Sequence, residues 1–140
     1  MTFPGFGPGP VRTLACALLI GVASAPAAAL DLNSFRAQHG KPPLAVSGVL
    51  SALAQEQAQS MASRTRLDHK NFRQRARSLA STAAENVLSG CADEDCAIRG
   101  WARSAGHRRN MLRGDVSRYG IASAVSASGR RYWALELGNE

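Results

Sequence analysis

The sequence predicts an α+β fold, with helices laid on a small antiparallel sheet. Three observations predict it. An amphipathic helical pattern runs from Ser47 to Met61, and a second helical pattern starts among the acids at 93–95. Near the end of the chain the period changes to two in a pair of β-rich segments separated by a turn.

Taken in order, the first segment is not part of that fold. "TLACALLIGVA" (13–23) is a short apolar run behind one basic residue, Arg12, and Ala-Pro-Ala-Ala-Ala follows at 25–29. The run is too short to cross a bilayer, and Ala27 and Ala29 fit a small-x-small cleavage pattern, so residues 1–29 read as a secretory signal peptide. Cys16 lies inside the run rather than after it, which argues against lipidation. The expected protein is secreted or periplasmic, with one domain over residues 30–140 of about 111 residues, enough for a single core.

Residues 31–39 place Leu32, Phe35 and His39 on one helical face; Gly40 ends that helix and Pro42-Pro43 prevent its resumption. Ser47 is the cap of the long second helix, whose buried stripe is Val49, Leu50, Leu53, Ala54, Ala58 and Met61. Arg64, Arg66, Lys70, Arg73, Arg75 and Arg77 then crowd a loop and a short helix, read as a solvated cationic face. Asp93 or Asp95 caps a third helix with Ile98, Trp101, Ala102 and Ala105 on its apolar face, ended by Gly106. Ser104 is the expected cap of a following helix that carries His107 near its start. The strands are "YGIASAV" (119–125) and "RYWALEL" (131–137), joined through Ala127-Ser128-Gly129. Tyr132, Trp133 and Trp101 read as core or cleft wall, while Glu136, alternating with Leu135 and Leu137, is expected to point outward.

Cys91 and Cys96 remain once Cys16 leaves with the leader. An even pair in an exported chain predicts a disulfide, with Cys91 in a loop and Cys96 in the first turn of a helix. A metal pair would want a second pair at matching spacing. The formal charge is +7, and losing Arg12 lowers it by one, which favours contact with anionic envelope surfaces or acidic glycans. No specific nucleic-acid partner is expected, because no aromatic interleaving accompanies the charge, and no helix is amphipathic enough to argue for membrane insertion. A monomer is expected.

Three residues are candidates for chemistry: His69 in "LDHKNF", Glu85 in "AAENV" and His107 in "SAGHRRN". Two imidazoles and a carboxylate are a common donor set for zinc, which holds N and O ligands at ~2.0–2.2 Å and keeps a fourth position for water. They lie far apart in sequence, so spacing leaves their convergence open. His107 at a helix start meets the positive end of the dipole, which favours the neutral imidazole a metal binds. The bland alternatives are a Glu85 that braces backbone amides, an Asn86 that shapes a turn, a solvated His69 and a His39 packed at a helix end. Ser104 and His107 are three apart, yet no nucleophile elbow and no third member accompany them.

Several segments, in this order, resemble the CAP superfamily of cysteine-rich secretory, antigen 5 and pathogenesis-related 1 proteins, in particular its small bacterial SCP-like members. They are "LNSFRAQHGKPPL" (32–44), "LAQEQAQSMA" (53–62), His69, "AENVLSG" (84–90), "GWARSAGHRRNML" (100–112), "YGIA" (119–122) and "YW" (132–133). The resemblance implies a three-layer α-β-α sandwich with an open cleft lined by two His and two acids that can hold a divalent metal, zinc first. By position it implies His69, Glu85 and His107 as the cleft and metal set, with Ser104 standing where eukaryotic members carry the second acid. The function it implies is a cleft that binds a small ligand, lipid or protein segment. A metal-assisted hydrolase, in which Glu85 or a bound metal activates water, and a non-catalytic extracellular interaction domain are the alternatives.

Overall fold

The computed structural model describes Met1, residues 28–78 and residues 82–139; the apolar run read as a leader lies outside the described residues. The elements are α1 (Leu32–Gln38), β1 (Ala45–Val46), α2 (Gly48–Arg64), α3 (Phe72–Arg75) running into a 3₁₀ turn at Ala76–Ser78, β2 (Ala83–Ser89), α4 (Glu94–Ala102), α5 (Ala105–Met111), β3 (Arg118–Val125) and β4 (Arg131–Gly138). The sheet order is β1-β3-β4-β2. β4 is antiparallel to both neighbours, and β1 adds a two-residue parallel edge beside β3, so the sheet is mixed rather than purely antiparallel.

Helices cover both faces of this sheet. On one face Leu32 and Phe35 of α1, Ile98 and Trp101 of α4 and Met111 of α5 pack on Trp133, Leu135 and Leu137. On the other, Ala54, Ala58 and Met61 of α2 pack on Val87, Tyr132 and Ala134. The expected α-β-α layering is therefore present. β1 and β2 escaped the sequence reading for different reasons. Both residues of β1 are exposed and carry no pattern, whereas β2 is buried over Ala84–Val87 on both faces, which removes the alternation a half-exposed strand would show.

The helix starts follow their caps. Asp31 accepts from the Ser34 N–H at 2.7 Å, Ser47 from Leu50 at 3.0 Å and Asp93 from Cys96 at 2.9 Å. That settles the choice between Asp93 and Asp95, since the Asp95 carboxylate instead takes the Leu30 N–H at 2.6 Å and the Arg99 fork. Val49 is exposed, so the buried stripe of α2 begins at Leu50. Gly106 does not end α4. The break falls at Arg103–Ser104, where extended backbone at Ser104 interrupts the helical ladder, and both Gly106 and the exposed Ala105 belong to α5. Ser104 occupies the cap position of α5 without a side-chain capping bond. Cys91 and Cys96 form the expected disulfide, which ties the loop after β2 to the first turn of α4. Beside it the Trp133 indole N–H donates to the Cys91 carbonyl at 2.9 Å.

Two contacts fix the layers around the future site. Arg36 of α1 is fully buried and donates to the carbonyls of Met111 at 2.8 Å, Arg113 at 2.9 Å and Pro42 at 2.9 Å. A guanidinium there satisfies the orphan carbonyls at the C-terminal end of α5 and favours the negative end of its dipole. On the opposite face α2 meets β3 at Gly120, where an added Cβ would lie 2.1 Å from the Ser51 nitrogen and 2.2 Å from the Leu50 carbonyl carbon. Backbone cannot rotate away as a side chain can, so α2 reaches the sheet only because residue 120 is Gly. Gly120→Ala should destabilise the domain by about 2 kcal/mol or more, at the upper side of ordinary overpacking. In a thermal melt this is a fall of roughly 10 °C, and a change under ~2 °C would contradict the close approach.

Candidate functional site

The site is assembled at the outer edge of the sheet, where β2 carries Glu85 and the loop after α2 carries His69. The loop is held from behind. Arg64, in the last turn of α2, grips Asp68 with both arms at 2.7 and 2.9 Å, and the buried Gln57 amide donates to the Asp68 carbonyl at 2.6 Å. The Arg64 hydrogen bonds hold the Asp68 carboxyl down to about 2, so Asp68 is ionised and the fork is charge-assisted. The next residue, His69, is thereby placed with Nδ1 at 2.7 Å from Glu85 Oε1, while its side chain stays half exposed.

Glu85 is 5% exposed and its other oxygen, Oε2, takes Arg75 Nη2. Arg75 also donates from Nη1 to the Lys70 carbonyl. Thus one member of the cationic run turns inward; Arg66, Lys70, Arg73 and Arg77 are exposed as the sequence predicts. The residue that sequence reasoning missed is Glu136. Expected to face outward, it is 1% exposed and lies directly opposite Glu85 in the β2–β4 register, with Arg75 Nη2 3.7 Å from its Oε1. The error has a physical cause. Alternation separates the Leu face from the Glu face, but in a three-layer sandwich both faces are interior. Burial, then the hydrogen bond and charge of Glu85, push the Glu136 carboxyl up to about 10, against the opposing pull of Arg75. Glu136 is therefore neutral near pH 7, and Glu85 is the member of the pair that Arg75 and His69 meet.

His107 arrives from the other side of β2. It is the third residue of α5, and its carbonyl accepts from the Asn86 side chain at 2.9 Å, while Asn86 Oδ1 accepts from Asn110 at 2.9 Å. Asn86 is thus a fully buried strand residue that pins α5 to β2 and not a turn former. The His107 imidazole is held below its ordinary value by burial first and by the charge on His69 second. His69 and Glu85 are in contact, His107 lies within reach of the His69 charge, and the Ser104 hydroxyl makes no capping hydrogen bond. His39 stays apart at the end of α1, bonded to the Phe35 carbonyl and to Arg108. Three hollows flank the loop, one of them of about 410 Å³ along His69, Asn71, Phe72 and Arg73. Another of about 370 Å³ between α2 and α3 touches Gln57, Ser60, Gln74 and Arg75, and a broader one of about 690 Å³ touches Arg64, Arg66, Asp68, His69 and Lys70.

The pattern of the CAP family, described as the cysteine-rich secretory protein family, matches residues 31–137. The chain belongs to this family. YkwD of Bacillus subtilis (strain 168) is 26% identical over 104 residues, which is 69% of this chain but only 40% of YkwD. Among solved structures, an outer surface protein of Borrelia burgdorferi superposes with a TM-score of 0.69 at 16% identity, covering 78% of this CAP chain and 86% of that one. An extracellular protein containing a SCP domain from Bacillus anthracis str. Ames gives 0.66 at 21% identity, over 78% of this chain and 38% of that protein. A cysteine-rich secretory protein of Staphylococcus aureus subsp. aureus Mu50 gives 0.63 at 21%, over 78% and 36%.

The metal set that the family resemblance implied, His69, Glu85 and His107, does not fit a divalent ion as this CAP domain folds. Among the described residues no three His, Cys, Asp or Glu side chains stand together as donors. The reason is visible at Glu85, whose two oxygens are already committed to an imidazole and a guanidinium.

The shifted Glu136 carboxyl has a consequence for stability. The native state keeps a proton that the unfolded chain gives up at the usual carboxylate pH, so stability is full below that range and falls as pH rises toward the native value. Between about pH 5 and about pH 9 the wild type should lose stability in urea titrations, and Glu136→Gln should lose less by at least ~1 kcal/mol. Parallel curves for the two proteins would show that Glu136 is ionised throughout.

Proposed function

We propose that this CAP domain is an exported binding module whose cleft, at the β2 edge, takes a small ligand, lipid or protein segment. One observation carries the reading: His69 stands half exposed at the sheet edge on the buried Glu85, and the start of α5 that bears His107 is pinned to the next β2 residue, Asn86. Two imidazoles that the protein positions but does not saturate offer ring nitrogens that can donate to a ligand carbonyl or phosphoryl oxygen or accept from a ligand hydroxyl or N–H. The exposed Arg66, Lys70 and Arg73 surround the mouth of the loop and favour an anionic group or an anionic envelope surface at close range. The domain is taken to act as a monomer.

Native mass spectrometry of protein purified from its source is the test. A ligand adduct is expected on the wild type and absent on His69→Ala and His107→Ala, with melting temperatures of the variants within a few degrees of the parent. An adduct equally present on both variants would remove these residues from recognition.

Export is supported by the leader pattern and by the start of the fold. Leu30 is buried and its N–H already sits on the Asp95 carboxylate at 2.6 Å, so cleavage after Ala29 would leave a charged α-ammonium paired with that acid. Protein recovered from outside the cytoplasm should begin at Leu30 by N-terminal sequencing, and a start within α1 would exclude this site.

A second reading, a hydrolase, is favoured by the His69–Glu85 contact. A carboxylate on Nδ1 orients the ring and leaves Nε2 as the free nitrogen, which is the arrangement of a general base that takes a proton from water. On an ester and peptide panel, His69→Ala and Glu85→Gln would then lose turnover together; activity that survives Glu85→Gln removes Glu85 from any mechanism.

A further inference from the structure

Glu85 and Glu136 face each other across β2 and β4, both almost fully buried. A buried carboxyl pair that keeps even one negative charge is costly without an opposite charge beside it, so this pair needs a compensating cation. Among the described residues the guanidinium of Arg75 is the one that reaches both carboxylates, and its side chain is only 9% exposed. Its neighbours in the cationic run, Arg73 and Arg77, are exposed. The fit is close but incomplete: Arg75 Nε and Glu136 Oε1 are buried without hydrogen-bond partners.

We propose that Arg75 is a tethered cation that fills the cation seat of this cleft, so that the CAP domain of this chain holds its two buried glutamates without a divalent metal. A guanidinium is permanently charged, and its fork suits a carboxylate oxygen without the stripping of a hydration shell that a dication requires. Tethering does the rest. Arg75 sits on a one-turn helix beside the site, with Nη1 bonded to the Lys70 carbonyl, so its effective concentration at Glu85 is about millimolar or higher. A dissolved metal must displace it and leave a buried guanidinium beside a second positive charge. This inference stands whether or not the cleft binds a ligand.

The test titrates the full chain with Zn²⁺ alone by calorimetry, and with Co²⁺ followed by its visible absorption. The wild type should show no saturable site, and Arg75→Lys should match it because the seat stays filled by a cation. Arg75→Met should gain one site, at least about tenfold tighter than any wild-type response, and the double variant R75M/E85Q should lose it. If R75M melts too low to titrate, Zn²⁺ should raise its melting temperature and leave those of the wild type and R75M/E85Q unchanged. Metal binding by the wild type that Glu85→Gln abolishes would overturn the proposal. So would an R75M protein that responds to neither metal by binding or by melting temperature.

Discussion

A sheet clad by helices on both faces has no outward side, and every polar group that its strands carry must find a partner indoors. β4 shows the constraint in full: each residue from Tyr132 to Gly138 is buried. Its apolar residues meet α1, α4 and α5 on one face and α2 on the other. Its one charged residue in that span, Glu136, has water on neither side and is answered by a proton, by Glu85 across the ladder and by Arg75 from the α3 turn. The chemistry at the β2 edge follows from this burial, because a carboxylate pair in water would have needed neither the proton nor the guanidinium.

The same row of the sheet couples packing to the site. Gly120, Glu136 and Glu85 are register partners across β3, β4 and β2. At one end of the row the missing Cβ lets α2 settle on β3; at the other end the two glutamates take Arg75. Small residues on the same face, Ala54 and Ala58 of α2 and Ala134 of β4, let helix and sheet lie close. Gln57 and Arg64 on that helix then reach the Asp68 corner and present His69. On the opposite face Arg36 and Asn86 do corresponding work for His107, one at the end of α5 and the other at its start. The two histidines are thus set by separate layers, His69 through the Asp68 corner and His107 through the start of α5.

Much of this was legible in the chain. The Ser47 cap, a cap at Asp93 or Asp95, the hairpin turn at Gly129 with its positive φ, and the Cys91–Cys96 pair are local signals, decided by residues within five positions of one another. The family motif around Glu85 and His107 and the lone His69 supplied the candidates, of which His69 and Glu85 are in contact. The reading went astray where a residue's surroundings come from distant segments. Glu136 looked like the polar side of a half-exposed strand, Asn86 like a turn former, Gly106 like a stop, and Arg75 like one more solvated cation.

By itself the sequence determined which segments turn into helices, where they begin, and which residue types were available for chemistry, because propensity, capping and periodicity act over a few neighbours along the chain. Only the tertiary structure decided which charges leave water. Arg73, Arg75 and Arg77 are chemically identical and two residues apart, and whether a guanidinium is solvated or buried against a carboxylate depends on what lies across the gap. That is set by α2 settling over Gly120 and by strand pairing between residues some fifty positions apart, Glu85 and Glu136. Electrostatic energy depends on distance and desolvation in space, and neither is written in the order of the residues.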